Sequence, residues 1–180
     1  MRATRPGRSL STMADASGLD DVELDTIDGR KTTFGELAGG PVLVVNVASR
    51  CGFTPQYEAL EQLQRTYADR GFTVIGVPTN QFKQELATDD EIQEYCSTTW
   101  GVTFPMLEST WVNGRRRHPL FARLTKARDS VGLSGPVLWN FEKFLVLPSG
   151  EVHRFRSPTK PDDPAIVSLI EANLPPTVDA

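Results

Sequence analysis

The residues best suited to covalent chemistry in this chain are its two cysteines, Cys51 and Cys96, which lie 45 positions apart. A cysteine acts as a nucleophile through its thiolate, whereas a protonated thiol in an apolar core is inert. Two cysteines are too few for a disulfide-stapled secreted domain or for a cysteine-rich zinc site. The count leaves three alternatives open: one reactive thiol, a reactive pair, or two inert core residues.

Cys51 occupies the connection between a predicted strand and a predicted helix. The preceding residues 41–48, PVLVVNVA, form a nearly continuous apolar run that is typical of a strand buried on both faces. Thr54 is predicted to cap the next helix, and Pro55 is predicted to be its first residue. The free N–H groups and partial positive charge of a helix N-terminus stabilise a thiolate, so this context favours a reactive Cys51 over a core thiol.

Cys96 lies inside another predicted helix. Thr88 and Glu91 form a capping-box pattern that opens this helix, and Gly101 ends it. Ile92 and Cys96 stand at positions i and i+4, on one face of the helix. Taken alone, this context favours a buried, inert thiol. The chain also lacks the CxxC pair of a thioredoxin-type dithiol motif.

The other residues that could carry chemistry form weaker patterns. His118 and His153 are 35 positions apart and match no metal-binding spacing, so no metal is expected. The absence of GxSxG, P-loop and GxGxxG motifs leaves acyl-hydrolase and nucleotide-binding interpretations without support. Trp139 and Asn140 precede a predicted strand and are by default a core tryptophan and a turn asparagine. If they lay near Cys51, their N–H groups could both donate to a thiolate.

The hydrophobic pattern predicts an α/β domain with a mixed sheet. Residues 22–33 alternate and turn at Asp28-Gly29, which predicts an N-terminal hairpin. Predicted strands at residues 41–48 and 72–78 flank a helix, an arrangement that favours parallel strands with a right-handed crossover. The later predicted elements are the helix after Thr88, a short strand at 104–107, a short helix at 118–128, a hairpin turning at Pro148-Ser149-Gly150, and a last helix opened by Asp162 or Asp163 with Pro164.

Composition and charge narrow the class of protein. Lys+Arg is 19 and Asp+Glu is 23, so the net charge is −4, and no clustered basic stripe indicates a nucleic-acid partner. The chain has no apolar run of about 18 residues, the length that predicts a membrane span. A length of 180 residues suits one domain, which we place at residues 18–176.

The first 17 residues differ in composition from the rest of the chain. They hold three arginines and no acidic residue before Asp15. We expect a flexible leader, or an extension upstream of a start at Met13, on a cytoplasmic protein. An arginine-rich, acid-poor composition also resembles an organellar transit peptide, which stays open as the alternative.

Five blocks of the sequence, taken together, resemble one family. In chain order they are VVNVASRCGFTPQYEALEQL, VIGVPTNQF, GVTFPM, VNGRRRHPLF and WNFEKFLV. They are similar to the motifs of the glutathione peroxidases, and the resemblance covers about residues 19–174. It implies a thioredoxin-like fold, with a mixed central sheet flanked by helices and an N-terminal β-hairpin.

The resemblance also implies roles for individual residues. Cys51 matches the peroxidatic position, and Trp139 and Asn140 match two of its hydrogen-bonding partners. Gln84 is the best match for the active-site glutamine of the family, although the stretch NQFKQELAT is one residue shorter than usual and lacks its Gly and Pro. Asn80, in the same block, is implied to shape the pocket.

The second cysteine acquires a role from the same resemblance. Cys96 matches the resolving cysteine of the two-cysteine members of the family. Thr79 occupies a place that often holds a third cysteine, so an intramolecular disulfide could form only between Cys51 and Cys96. Leu138 and Leu147 replace polar or charged residues of the family pattern, which changes the surface expected to dock the reductant.

These roles imply a thiol peroxidase that needs no cofactor. The Cys51 thiolate would reduce hydrogen peroxide or an organic hydroperoxide and become a sulfenic acid, which Cys96 would convert into a disulfide. Thioredoxin is favoured over glutathione as the reductant because a resolving cysteine is present. A monomer is expected, since no long insertion lies between Arg128 and Trp139.

One mechanical expectation follows from the position of Cys96. If its sulfur faces inward on a helix, it lies outside the ~2.05 Å bonding distance from Cys51. The helix over residues 88–98 must then loosen during turnover. Two other functions are kept as alternatives: a peroxide sensor or redox relay that passes oxidation to a partner protein, and a redox-inactive thioredoxin-like interaction domain.

Overall fold

The computed structural model describes residues 18–177, so the predicted leader at residues 1–17 lies outside the described residues. The described part begins with the predicted hairpin, in which β1 (Glu23–Asp25) pairs antiparallel with β2 (Lys31–Thr33). A four-residue helix, α1 (Phe34–Leu37), follows at once because Thr33 and Glu36 form a capping box. The N-terminal hairpin is confirmed.

The central sheet has four strands, and its order explains why it is mixed. These strands are β3 (Val42–Val47), β4 (Thr73–Pro78), β5 (Lys143–Val146) and β6 (Val152–Phe155), in the spatial order β4-β3-β5-β6. β3 is parallel to β4 and antiparallel to β5, which forms the predicted hairpin with β6. Helix α2 (Gln56–Tyr67) and a short 3-10 helix (Ala68–Arg70) make the crossover between the parallel strands.

The sheet is covered on both faces, as the apolar run before Cys51 predicts. Leu43 and Val45 of β3 belong to a core shared with α2, α3 (Asp89–Trp100) and α5 (Pro164–Asn173). Val42 and Val44 point to the opposite core, which contains residues of α1 and α4 (Pro119–Leu124). Alternate side chains of one strand therefore anchor two layers of helices, because successive residues of a strand face opposite sides.

The short strand predicted at residues 104–107 is wrong. Met106 makes only an isolated parallel bridge to Gly76, and Leu107 an isolated antiparallel bridge to Thr26. The side chains of this segment pack so closely on β4 that a Cβ atom on Gly76 would collide with Met106 Sδ and lie 3.1 Å from the Phe104 ring. Glycine at this position of the strand therefore permits a close approach that any other residue would obstruct.

The helix predicted at residues 118–128 is shorter than expected. It spans Pro119–Leu124, with His118 as the N-cap, because the following chain folds into turns instead. The last helix begins as predicted, with Asp163 as the N-cap and Pro164 at its first position. No helix within residues 18–177 combines the length and the apolar character needed to cross a membrane.

Candidate active site

Cys51 lies in a tight turn that joins β3 to α2. We call it the peroxidatic turn (residues 49–55), after the role that the resemblance implies for Cys51. The hydroxyl of Thr54 closes this turn: it accepts from the N–H of Cys51 at 3.0 Å and donates to the carbonyl of Ala48 at 2.9 Å. The predicted N-cap is therefore wrong. Helix α2 begins at Gln56, with Pro55 as an N-cap that makes no side-chain hydrogen bond.

The sulfur of Cys51 is held by the turn rather than by the end of the helix. The N–H of Phe53 donates to Sγ at 3.4 Å, and Cys51 is 8% exposed. The N–H group expected from a helix N-terminus is therefore supplied by the backbone of the turn.

Gln84 is attached to the peroxidatic turn through its backbone. The N–H of Arg50 donates to the carbonyl of Gln84 at 2.9 Å, next to Cys51 in the chain. Lys83, just before Gln84, adopts a left-handed conformation with a φ of 62°. Glycine adopts this conformation at no steric cost, whereas a lysine adopts it only where the surrounding loop enforces it.

Trp139, Asn140 and Phe141 form a second turn, the WNF turn, which is fastened to β3. The N–H of Phe141 donates to the carbonyl of Asn46 at 2.6 Å, and the Asn46 amide donates to the carbonyl of Trp139 at 3.0 Å. Phe141 is fully buried with a φ of 61°, a conformation that costs a bulky residue energy and is retained where the surroundings enforce it.

The fold brings three of the predicted site residues together at the peroxidatic turn. Nδ2 of Asn140 donates to Oε1 of Gln84 at 3.0 Å, and Gln84 in turn holds the residue before Cys51. The indole ring of Trp139 packs against Phe82 at 5.3 Å and is 39% exposed. Across residues 18–177, no side-chain hydrogen bond joins Trp139, Asn140 or Gln84 to the sulfur, whose bond comes from the turn itself.

Asn80 is placed differently from a residue that lines a pocket around Cys51. Its side chain is exposed, and its Oδ1 accepts from the N–H of Glu85 at 3.2 Å. Its backbone carbonyl accepts from the N–H of Lys83 at 3.0 Å. Asn80 therefore shapes the loop that presents Gln84, and a direct part in the pocket stays a prediction.

Cys96 is buried on α3, as the helix-face pattern predicts. Its thiol lies 3.4 Å from the hydroxyl of Tyr57, and only 2% of the residue is exposed. Burial raises the pKa of Cys96 to about 11, so its thiol stays protonated at neutral pH. Both cysteines are free thiols that pack in the same core. Tyr57 also packs edge-on against Phe141 at 5.4 Å, which connects the surroundings of Cys96 to the WNF turn.

Comparison with known proteins identifies the family. Residues 19–125 match the family described as Glutathione peroxidase. The chain belongs to the glutathione peroxidase family. It is 46% identical over 169 residues to the Thioredoxin/glutathione peroxidase BtuE of Escherichia coli (strain K12), covering 82% of this chain and 92% of the relative. The peroxidase class suggested by the sequence motifs is thereby confirmed.

Solved structures agree with this family assignment and with the predicted fold. The crystal structure of Trgpx in apo form has a TM-score of 0.65 and 34% identity, covering 87% of this chain and 98% of that chain. A thioredoxin family protein from Chlorobium tepidum TLS, a thiol:disulfide interchange protein, has a TM-score of 0.56 and 23% identity, with coverages of 91% and 99%. The thioredoxin-like fold of this glutathione peroxidase family member is confirmed.

Sequence reasoning missed Glu85, which follows Gln84. Its Oε1 accepts from the N–H groups of Ser49 and Leu86 at 3.1 and 2.8 Å, so the carboxyl group joins the Gln84 loop to the peroxidatic turn. The other oxygen, Oε2, is buried and makes no hydrogen bond within residues 18–177. Burial raises the pKa of Glu85. Its position directly after Gln84 could have indicated a role at the site, but an acidic residue in a polar loop is normally predicted to be exposed to solvent.

Lys143 was also missed, because it looks like one polar position in an apolar strand. It is completely buried at the start of β5, and burial lowers the pKa of its ammonium group to about 7. Among the described residues, no group of three or more His, Cys, Asp or Glu side chains is arranged to hold a metal ion.

Proposed function

We propose that this member of the glutathione peroxidase family reduces hydrogen peroxide and organic hydroperoxides with Cys51, resolves the product with Cys96, and is recycled by thioredoxin. The observation that carries the proposal is the meeting of three distant chain segments at the turn that carries Cys51. The peroxidatic turn holds Cys51, its backbone binds Gln84, and Gln84 binds Asn140. A reactive thiol with amide N–H groups nearby suits the cleavage of an oxygen–oxygen bond.

In the first step, the Cys51 thiolate attacks the distal oxygen of the hydroperoxide. A sulfur–oxygen bond forms as the oxygen–oxygen bond breaks, leaving a Cys51 sulfenic acid and an alkoxide or hydroxide. A proton delivered through water converts the leaving group into alcohol or water. Amide and indole N–H groups of Gln84, Asn140 and Trp139 would orient the peroxide and stabilise the charge on the departing oxygen.

In the second step, Cys96 attacks the sulfenic sulfur. The Cys96 thiol gives up its proton, a disulfide forms with Cys51, and hydroxide leaves and is protonated to water. The dithiol of thioredoxin then reduces the disulfide by thiol–disulfide exchange. The name of the Escherichia coli relative, Thioredoxin/glutathione peroxidase BtuE, includes both thioredoxin and glutathione. The buried second cysteine of this chain supports thioredoxin, because a resolving cysteine forms the disulfide that a dithiol reduces.

The proposal extends to the setting of the reaction. We infer a monomer, in the cytoplasm, that uses no cofactor, with Asn80 shaping the approach to Gln84. The exposed rings and aliphatic side chains of Trp139 and Leu138 supply apolar surface beside the site. A reductant protein can cover such a surface while its thiolate approaches the disulfide.

The test is a coupled assay in which thioredoxin and thioredoxin reductase link peroxide reduction to NADPH oxidation. Wild-type protein should sustain turnover with hydrogen peroxide and with an alkyl hydroperoxide. Cys51→Ser should abolish activity with both peroxides. Cys96→Ser should still form one sulfenic acid per chain, detectable by mass spectrometry after dimedone labelling, but should lose thioredoxin-dependent turnover.

Two results would contradict the proposal in different ways. Full thioredoxin-dependent activity in Cys96→Ser would remove the resolving role and leave a one-cysteine peroxidase. Rapid oxidation of Cys51 without sustained NADPH oxidation would favour the relay alternative, in which a partner protein takes up the oxidation. The redox-inactive alternative predicts no Cys51 oxidation at all.

A further inference from the structure

The ammonium group of Lys143 is buried among oxygen atoms that use all of its hydrogen-bonding capacity. Nζ donates to Oε1 of Gln56 at 2.8 Å, to the carbonyl of Ser157 at 3.2 Å, and to the carbonyl of Phe141. An ammonium group has three N–H donors, so these three acceptors saturate it. A completely buried charge requires such saturation, since an unpaired donor in the core costs free energy.

The three acceptors come from three different parts of the fold. Gln56 is the first residue of α2, the helix that follows Cys51. Phe141 is the strained residue of the WNF turn, directly after Asn140. Ser157 follows β6, and its carbonyl also accepts from the Gln56 amide at 2.9 Å. One side chain thus joins the start of the helix behind the peroxidatic turn to the turn that carries Asn140.

Lys143 has no ion-pair partner among residues 18–177. The neighbouring Glu142 is engaged by Arg154 and Arg156. A buried charge held only by neutral oxygens contributes little to stability, because an apolar side chain of the same length avoids the desolvation cost. The location of the bonds, on both sides of the peroxidase site, suggests a use other than stability.

We propose that Lys143 is a positioning residue of the peroxidase site: it holds the WNF turn against the start of α2 and so sets where Asn140 and Trp139 stand relative to Cys51. The inference rests on the proposed function, because the positioned groups act on the peroxide. Lys143 touches no reacting atom, so its effect passes through the carbonyl of Phe141. That carbonyl and the N–H of Phe141, held by Asn46, fix both ends of the strained residue.

In this arrangement, the number of hydrogen bonds that hold the WNF turn depends on the protonation of Lys143. Burial lowers the pKa of Lys143 to about 7, although the negative charge of Glu142 acts to raise it. Gln56, Phe141 and Ser157, which supply the other contacts, carry no charge. A neutral amine has two N–H groups, so deprotonation leaves one of the three acceptors without its bond. The WNF turn is therefore held most firmly below the pKa of Lys143.

The test compares Lys143→Met with a matched control, Lys126→Met, which replaces an exposed lysine. The second-order rate of Cys51 oxidation by hydrogen peroxide is measured by stopped flow from about pH 5.5 to about pH 9. We expect Lys143→Met to react about 10-fold or more slowly than wild type at the acidic end, because small misplacements of positioning groups are costly. The wild-type rate divided by the Lys143→Met rate should fall as the pH rises and Lys143 loses its proton.

A ratio near one throughout, or a ratio that stays constant with pH, would overturn the inference. The Lys126→Met rate should match wild type at every pH. Taking this ratio removes the ionisation of Cys51 itself from the comparison. Alkylation by iodoacetamide at each pH checks that Cys51 reacts with the same midpoint in both proteins.

A second measurement keeps the inference testable if Lys143→Met does not fold. In wild-type protein labelled with ¹⁵N, the side-chain amide signals of Asn140 should shift with the same midpoint as the Nζ signal of Lys143. Asn140 signals that do not follow the protonation of Lys143 would overturn the positioning role. Failure of wild-type protein to react with peroxide would instead contradict the proposed function, and the NMR titration would still decide whether Lys143 controls Asn140.

Discussion

The side-chain amide of Asn140 donates to Oε1 of Gln84 at 3.0 Å, although 56 positions separate the two residues. This bond occupies the Gln84 oxygen and leaves the N–H groups of Gln84 free to act as donors. Oδ1 of Asn140 is buried and makes no hydrogen bond within the described part of the chain. The two amides therefore orient each other beside the peroxidatic turn.

Replacing Asn140 with alanine should slow the first chemical step. The change removes one N–H donor and leaves the Gln84 oxygen without its partner, so Gln84 can rotate. We expect the rate of Cys51 oxidation by hydrogen peroxide to fall by about 10²-fold, the size found when one donor to a developing negative charge is lost. Stopped-flow kinetics measure this rate.

The control for Asn140 is Asn173→Ala, because the Asn173 side chain bonds the carbonyl of Leu169 near the end of α5. That variant should oxidise at the wild-type rate. An Asn140→Ala protein that reacts as fast as wild type would show that the amide pair has no part in peroxide reduction.

A pair of substitutions at Glu85 separates its hydrogen bonds from its charge. Glu85→Gln keeps an oxygen that can accept from the N–H groups of Ser49 and Leu86, whereas Glu85→Ala keeps none. Because burial raises the pKa of Glu85, removing its charge should cost little stability. We expect Glu85→Gln to unfold near the wild-type temperature and Glu85→Ala to lose about 1–3 kcal/mol, the cost of leaving buried donors unpaired.

Calorimetry at neutral pH measures the Glu85 variants, and peroxide kinetics should follow the same order. Equal destabilisation in both variants would mean that the ionised carboxylate, rather than the geometry of its oxygen, holds the Gln84 loop to the peroxidatic turn.

Disulfide formation should require local opening of α3. Cys96 faces the core, is 2% exposed and contacts the Tyr57 hydroxyl, so we expect its sulfur to leave this environment when it bonds to Cys51. Hydrogen exchange should therefore show weaker protection of residues 89–100 in the oxidised protein than in the reduced protein. Helix α5 serves as an internal reference because it carries neither cysteine, and equal protection of α3 in both states would contradict the prediction.

The pH dependence of the resolving step should report the same opening. In the closed helix the pKa of Cys96 is raised by burial to about 11, whereas an exposed thiol has the ordinary value of 9.0. If oxidation of Cys51 leaves α3 largely open, the rate of disulfide formation should rise with pH with a midpoint nearer 9.0 than 11. Rapid-mixing kinetics, followed by acid quenching and mass spectrometry, measure this midpoint, and a value near 11 would mean that α3 stays mostly closed after Cys51 is oxidised.

The raised pKa of Cys96 also has a consequence for stability. The folded protein keeps the Cys96 proton up to about pH 11, while the unfolded chain loses it at its ordinary pKa of 9.0. The contribution of this thiol to stability is therefore complete below pH 9 and is lost as the pH rises towards 11. Cys96→Ala should lack this alkaline loss when the free energy of unfolding is measured by denaturant titration at several pH values.

Much of the fold could be predicted because local patterns and tertiary packing agree. The apolar run before Cys51 predicts a strand buried on both faces, and the structure places its alternate residues in two separate cores. The capping box at Thr88 and Glu91 predicts the start of α3, since the two side chains satisfy backbone N–H groups that the helix leaves unpaired. Such signals act over a few residues and need no knowledge of the rest of the chain.

The sequence by itself determined the α/β architecture with a mixed sheet, the family, and the burial of Cys96 on one face of a helix. Only the tertiary structure decided that Thr54 closes a turn rather than caps a helix, and that residues 104–107 cross β4 without forming a strand. It also decided the bonds of Glu85 and Lys143. The physical reason is that a buried polar group must find a partner. Glu85 finds one in Ser49 and Lys143 finds one in Gln56, and only the folded chain brings these distant residues within hydrogen-bonding distance.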